Sequence, residues 1–412
     1  MNKNIKLAVA GAVLAMSASA ANAGIIIPAG DWTLDINGNV NAFASWHNAD
    51  NRNTVNGGLA DRKDIAGEDS GQNLNTGLLP SWLGFTGKTR QNDTDVEFTM
   101  SMQPGASDNA ATGDVLTPHF RQSYVSFGDK SWGSVKLGKD IGIFASDAIL
   151  NDMTLLGVGG GMATTSGGRT SLGGIGTGYI YAAWKGQVAY TTPNFNGFQA
   201  TVGLTNPNQG TDYVDGVAGV NSTGFGTHLN QDRFGIEGKA SYSFAQDNFS
   251  GKIWVSGASN EVKLGNTNST AATIQEYTAS VADIGANLNA GNAGLTAYYY
   301  KGDGAGTTLF LSNGYSASKG KRDSDGGYIQ ATYILPTKTK LGVAYGRSSL
   351  DLAAGETNAD LVKTNERMTV GLYHPLTKHL NLVAEYNDME SKAQGGVANQ
   401  SRSGSLGAIL FF

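Results

Sequence analysis

The chain of 412 residues has no cysteine and only 8 prolines. A disulfide framework and a thiolate metal or nucleophile site are therefore excluded. After the first 23 residues no apolar run approaches the ~20 residues that a helix needs to cross a bilayer. Charge is sparse at 15 %, with 34 acidic against 29 basic residues. A net charge of −5 gives no support to a basic nucleic-acid patch. The five histidines, His47, His119, His228, His374 and His379, lack metal-ligand spacing. No Gly-x-Ser-x-Gly elbow is present, so the sequence reads as neither an enzyme nor a cofactor protein.

What is present is glycine, 58 residues of it, and a strong period of two. Trp32, Leu34, Ile36, Gly38, Val40, Ala42, Ala44 and Trp46 fall on one face of an extended chain. Thr33, Asp35, Asn37, Asn39, Asn41 and Ser45 fall on the other, with Phe43 the exception. Successive strand residues point to opposite faces. A tilted strand spans a membrane in about 9–11 residues. The same alternation recurs at Val96–Met102, Phe234–Phe244, Leu341–Tyr345 and Leu380–Tyr386. A mean hydropathy of −0.23 suits such a chain, because only alternate residues meet lipid.

Such segments predict sixteen strands near 31–46, 80–90, 94–104, 118–128, 132–141, 178–192, 196–206, 232–245, 248–260, 275–289, 293–302, 325–335, 339–349, 366–375, 379–389 and 401–412. The segment at 275–289 changes phase midway. Short turns alternate with long polar stretches at 47–79, 105–117, 142–177, 207–231, 261–274, 303–324, 350–365 and 390–400. Short turns on one side and long loops on the other, with an even strand number, mark a transmembrane antiparallel β-barrel. The fold class is thus all-β, and no propeller repeat competes with it.

The two ends place the barrel. Lys3 and Lys6 precede an apolar run from Leu7 to Met16, and Ala21-Asn22-Ala23 ends it. This is the layout of a secretory signal peptide cleaved after Ala23. Residues 1–23 are read as the leader and 24–412 as one barrel domain of 389 residues. Removing Lys3 and Lys6 takes the net charge from −5 to −7. At the other end Leu406, Ala408, Leu410 and Phe412 share one face, opposite Ser403, Ser405 and Gly407. A bare aromatic strand at a terminus is an aggregation hazard in water, but it can close a barrel in lipid. It resembles the C-terminal assembly signal of Gram-negative outer-membrane barrels, with Leu410 and Phe412 as the key residues.

Three segments, in this order and spacing, resemble the trimeric general porins of Gram-negative outer membranes. They are Ser81–Gly87, Arg121–Val125 running on to Gly133–Lys139, and Gln187–Phe198. Thr369–His374 and Asn381–Tyr386 are weaker echoes. The resemblance implies a barrel of about 16 strands whose third extracellular loop, here 142–177, folds inward. It implies that Asp152, with Asp147, lines the constriction opposite Arg121. Trp82 and Ala189 stand where the family usually carries arginines, and Leu156 stands near a usual acidic position. The implied partners are outer-membrane lipid, two further copies in a homotrimer, the assembly machinery, and small hydrophilic solutes and ions. No cofactor is implied.

The expected function is passive diffusion of small hydrophilic solutes through a wet, charged opening, with a mild preference for cations. Alternatives are a substrate-specific porin, or an adhesin or phage receptor using the loops. An outer-membrane hydrolase is disfavoured by the strand count and the missing catalytic constellation. Asp50, Asn51, Asn53, Asp61 and Asp64 could hold a loop calcium, but solvated surface is the favoured reading. The run Gly157-Val158-Gly159-Gly160-Gly161 could cradle a phosphate, yet no strand–loop–helix unit surrounds it. Strand phase places Phe234, Ile236 and Val343 in lipid and Glu237 and Lys340 in the lumen. Arginine should therefore be tolerated at 237 and not at 236.

Overall fold

The computed structural model describes residues 24–104, 119–160, 170–206, 225–228, 233–266, 274–316 and 320–412. The first strands are β1 (Ile25–Ala29), β2 (Trp32–Ala49), β3 (Ser70–Asn75), β4 (Trp82–Gln91) and β5 (Thr94–Gln103). Next come β6 (His119–Asp129), β7 (Gly133–Ile141), β8 (Trp184–Thr191), β9 (Phe198–Thr205), β10 (Phe225–His228) and β11 (Gly235–Gln246). Then follow β12 (Phe249–Asn266), β13 (Ile274–Ala290), β14 (Ala293–Asp303), β15 (Tyr315–Ser316) and β16 (Gly320–Lys321). The last are β17 (Asp323–Ile334), β18 (Lys340–Leu350), β19 (Val362–Pro375), β20 (Leu380–Ala393) and β21 (Ala398–Phe411). A single turn of helix, α1 (Ser146–Leu150), and a 3-10 turn, Met153–Leu156, lie between β7 and β8.

Sixteen of these strands form a closed antiparallel ring. Each pairs with the next, and β21 pairs with β2 from Ala49↔Ser401 to Asn39↔Phe411. Closure satisfies every ladder group inside the lipid, which an open sheet cannot do. The edge of β2 beyond the C-terminus is covered by β1, from Ile25↔Ile36 to Ala29↔Trp32. The sequence reading does not contain β1, because Ile25-Ile26-Ile27-Pro28 shows no alternation. A proline is at home on a strand paired along one edge. It also omits β3, a polar segment that continues the line of β4 along β2.

Alternation sorts the faces. Val40, Met100, Ile236, Ile284, Val343 and Leu406 are exposed on the outside, where lipid would cover them, while Asn39, Ser101, Glu237, Asp283, Ala344 and Ser405 are buried inside. Toward the short-turn end, Trp32 packs against Phe98 with ring centroids 5.7 Å apart, and Phe244 against Phe249 at 5.5 Å. Aromatic girdles sit at this level of a membrane barrel. The turn at Asn92-Asp93 has both residues at positive φ, 46° and 60°. That is the two-residue hairpin whose twist matches its strands.

Two expected loops are shorter than expected. β12 and β13 stay paired to Gly265↔Ile274, and β20 and β21 to Lys392↔Ala398. Polar residues there hide strands, because the wall runs on beyond the apolar belt. The phase change expected within β13 is absent: the strand is regular. Ala279 and Val281 point inward beside Asp283, into an apolar core inside the barrel. Phe43 has the same explanation. It points inward and packs with Leu156, Val158, Tyr373, Ile409 and Phe411.

Candidate functional site

The interior apolar core exists because the β7–β8 loop enters the lumen. Its backbone is fixed by inward polar side chains of the wall. The Glu237 carboxylate on β11 accepts the N–H groups of Ile143 and Phe144 at 2.8 and 2.9 Å. Tyr328 on β17 donates to the Ala148 carbonyl at 2.8 Å, and Gln330 accepts from the Met153 N–H at 2.9 Å. Ser348 on β18 accepts from the Gly178 N–H at 2.9 Å. Glu385 on β20 accepts from Val158 and Gly159, both at 2.8 Å. A loop buried away from water must find partners for its peptide groups, and these wall residues supply them.

The described part of the glycine run, Gly157 to Gly160, thus cradles a carboxylate after all, and it is the chain's own Glu385. The approach is so close that a Cβ at Gly157 would lie 2.1 Å from a Glu385 oxygen. Apolar side chains complete the seal. Phe144, Ile149, Ile175, Tyr179 and Ile180 pack with Trp254, Tyr298, Tyr300 and Tyr328 of the wall. Phe310 and Leu311, from the β14–β15 connection, join them. Tyr298 and Tyr328 stack at 5.6 Å, and Tyr179 meets Tyr328 at 5.7 Å. The β2–β3 connection enters as well: the N–H groups of Leu59 and Asp61 donate to Ser391 and Ser401 on β20 and β21.

The two loop carboxylates occupy different surroundings. Asp152 is 2 % exposed. Its Oδ1 accepts from the Thr154 N–H and hydroxyl at 2.9 and 2.8 Å. Its Oδ2 accepts from the Gly174 N–H and the Tyr179 hydroxyl at 2.9 and 2.8 Å, with Arg367 at 3.9 Å. Asp152 therefore ties the two limbs of the loop together. Asp147, 4 % exposed, forms ion pairs with Lys239, at 2.9 Å, and with Lys252. Burial alone would raise its pKa; the two lysines hold it below the ordinary carboxylate value. It borders a cavity of about 150 Å³ with Lys252 and Lys340.

The opposite side of the lumen is open. Three cavities of about 340, 180 and 840 Å³ line the inner faces of β4–β9. The first shares Asp140 and Ile141 with the second, and the second shares Ser126 and Ser134 with the third. They run from the outer strand ends to the short-turn end. Trp82 and Arg121 border the first, and Ala189 borders the second. Leu156 does not reach this route; it is packed against Phe43 on the filled side. Arg121 sits at a bulge, where Ser101 pairs with Gln122 but Met102 pairs with Phe120. Bulges re-aim side chains. Its guanidinium lies 5.9 Å from the centre of the Trp184 ring.

Of the residues named from sequence, Arg121 and Trp82 come together on the open side, while Asp147 and Asp152 lie in the packed loop. Sequence reasoning missed Trp184, Lys239, Lys252, Arg367 and Glu385 as parts of the site. For Lys239, Lys252, Arg367 and Glu385 the signal was a charge in the inward phase of a strand; Trp184, in the outward phase at the start of β8, gave none. Among the described residues no cluster suited to a metal ion occurs.

A closed barrel with a lipid-ready exterior, an inward loop and a chain of cavities sharing wall residues is an outer-membrane channel. The profile of the Gram-negative porins matches residues 8–394, and the chain belongs to that family. No curated protein sequence matches it significantly. Among solved structures it is similar to the outer-membrane channel DcaP of Acinetobacter baumannii, at 16 % identity and a TM-score of 0.67. That match covers 95 % of this chain and 100 % of the other. The anion-selective porin of Comamonas acidovorans follows at 17 % identity and a TM-score of 0.61, covering 92 % and 100 %. OmpF of Salmonella typhi in complex with daunomycin gives 14 % and 0.57, covering 94 % and 100 %. The protein is an outer-membrane porin, a channel for passive diffusion of small hydrophilic solutes.

Proposed function

We propose that solutes cross along β4–β9 alone, past Trp82 and Arg121, and that no covalent chemistry or cofactor takes part. The chain of three cavities sharing wall residues carries this reading. Planar-bilayer recording of the purified protein tests it. An ohmic KCl current is expected; a protein that folds and inserts without conducting would refute it.

Charge on the route differs from the sequence expectation. A mild cation preference needs Asp147 and Asp152 to act as unmatched acids on the route; Asp152 is tied inside the loop, and Asp147 is matched by Lys239 and Lys252. Lys239 and Lys252 share the one Asp147, and Lys136 pairs with Asp140. Arg121, on the route, forms no ion pair among the described residues. The balance near the narrowing is positive, and the pore is proposed to prefer anions weakly.

Residues 1–23 are removed on export. The last strand directs assembly: Leu410→Ser with Phe412→Ser strips its outward face, and the chain should then collect unfolded in the periplasm. Normal levels of folded protein would refute this. The homotrimer contact lies where Ala42 pairs with Ala408, since small outward residues let surfaces approach closely in lipid. Ala42→Trp should convert the extracted trimer to folded monomer; an unchanged trimer on cross-linking would place the contact elsewhere.

A further inference from the structure

The outer cavity of the route, about 340 Å³, is built unlike a wall for hydrated ions. Its loop side presents Leu150, Leu155 and the Tyr181 ring, and its wall side presents Trp82 and Trp184. Leu150 is 47 % exposed although the loop around it is packed. An apolar lining disfavours water and ions at a narrowing, so plain diffusion gains nothing from it. Small-ligand sites have this character: apolar and aromatic walls with a few fixed polar groups.

The fixed polar group is Arg121. Its N–H donates to the Gln103 Oε1 at 3.1 Å, which holds the bulge. Its guanidinium faces the Trp184 ring and forms no ion pair among the described residues. Among the described residues the one acid lining the cavity is committed elsewhere: Asp140 pairs with Lys136 and accepts from Gln122 at 3.2 Å. A guanidinium fork matches a carboxylate in two parallel hydrogen bonds.

Resting on the diffusion path proposed above, we infer that this cavity is a binding subsite for small carboxylates with a flat apolar body. The carboxylate pairs with Arg121, and the body lies between Trp82 and Trp184 on one side and Leu150 and Leu155 on the other. A solute with only one of the two features gains only one set of contacts.

The test uses the purified channel in a planar bilayer in KCl at neutral pH, with benzoate, benzamide and acetate as probes. Benzoate should block the current saturably, and benzamide and acetate should each block at least about tenfold more weakly. Arg121→Gln should weaken the benzoate block by about tenfold or more, the scale of one lost charged hydrogen-bond partner. Arg121→Lys should weaken it less, and Trp184→Ala should weaken benzoate and benzamide alike. Heat-modifiable mobility confirms that each variant is folded. A normal KCl current with no saturable benzoate response, or an Arg121→Gln channel that responds as the original does, overturns the subsite. Loss of KCl current in the original protein overturns the diffusion path itself.

Discussion

The lumen has two sides that differ in what meets the wall. Along β11, β12, β17, β18 and β20 the inward residues are committed to the loop. Glu237, Ser256, Gln330, Ser348 and Glu385 each bind its peptide groups. Along β4–β9 the inward residues face cavities and pair with one another. Lys136 pairs with Asp140, and Arg90 with Asp95 at 2.8 Å and Asp129 at 3.0 Å. The same strand phase therefore leads to a packed interior on one side and a hollow one on the other. An inward polar group is structural on the first side and electrostatic on the second.

The comparison breaks or holds on one substitution placed in three surroundings. Glu237→Arg sets a cation beside Lys185, which pairs with Glu237 at 2.5 Å, and frees two buried peptide N–H groups. Breaking a buried pair costs ~3–5 kcal/mol. Ile236→Arg, one residue away but lipid-facing, should cost ~2–4 kcal/mol if it lies near mid-membrane. Ser126→Arg, inward on the open side, should stay within ~0.5 kcal/mol while narrowing the route. Urea titration of the folded protein in micelles, read by heat-modifiable mobility, gives the order. Equal responses at 126 and 237 would end the distinction between the sides.

This outcome also shows what the sequence could and could not convey. The period of two located all sixteen wall strands and the inward phase of Glu237, because lipid and lumen impose opposite chemistry on alternate residues. It did not convey that Glu237 lies dry, since a carboxylate facing water and one facing a peptide N–H occupy the same register. Phe43 and Val281 carried the missing signal: apolar residues in the inward phase mark where a loop will pack. The polar β3 and the proline-bearing β1 were illegible for another reason. Neither shows apolar alternation, and pairing with β2 alone defines them.

A smaller effect is expected from loosening the filled side without adding charge. Glu385→Ala removes the acceptor for Val158, Gly159 and the Tyr373 hydroxyl, the last at 2.7 Å. Unsatisfied buried donors cost ~1–3 kcal/mol each, though water reaching the released loop will recover part of that. The loop tip should leave the wall and widen the lumen, so conductance should rise as the melting temperature falls. If both stay at their original values, the loop is held by its apolar contacts and the peptide bonds to Glu385 are incidental.

The smallest effect concerns ion preference, and here the two sides predict a ranking of three residues. Asp147→Asn leaves Lys239 and Lys252 without their shared anion. Arg121→Ser removes a cation from the open route. Asp152→Asn changes a carboxylate whose four acceptor contacts lie inside the loop. The zero-current potential in a KCl gradient should therefore move toward anions for Asp147→Asn and toward cations for Arg121→Ser. It should hardly move for Asp152→Asn. All shifts should shrink as salt rises, because the Debye length falls from about 10 Å at 0.1 M to about 3 Å at 1 M. The pH dependence has a definite sign. The lysines keep the folded Asp147 below its ordinary pKa. Its charge, and the stability that charge contributes, persist from neutral pH down to the ordinary carboxylate value of ~3.9. They are lost only as pH falls further, through the lowered folded value. A potential that drifts between neutral pH and that point, and loses the drift in Asp147→Asn, would mean that Asp147 is not held by its lysines. A shift at Asp152 as large as at Asp147 would place both carboxylates in the water route, and the division of the lumen into a filled and an open side would fail.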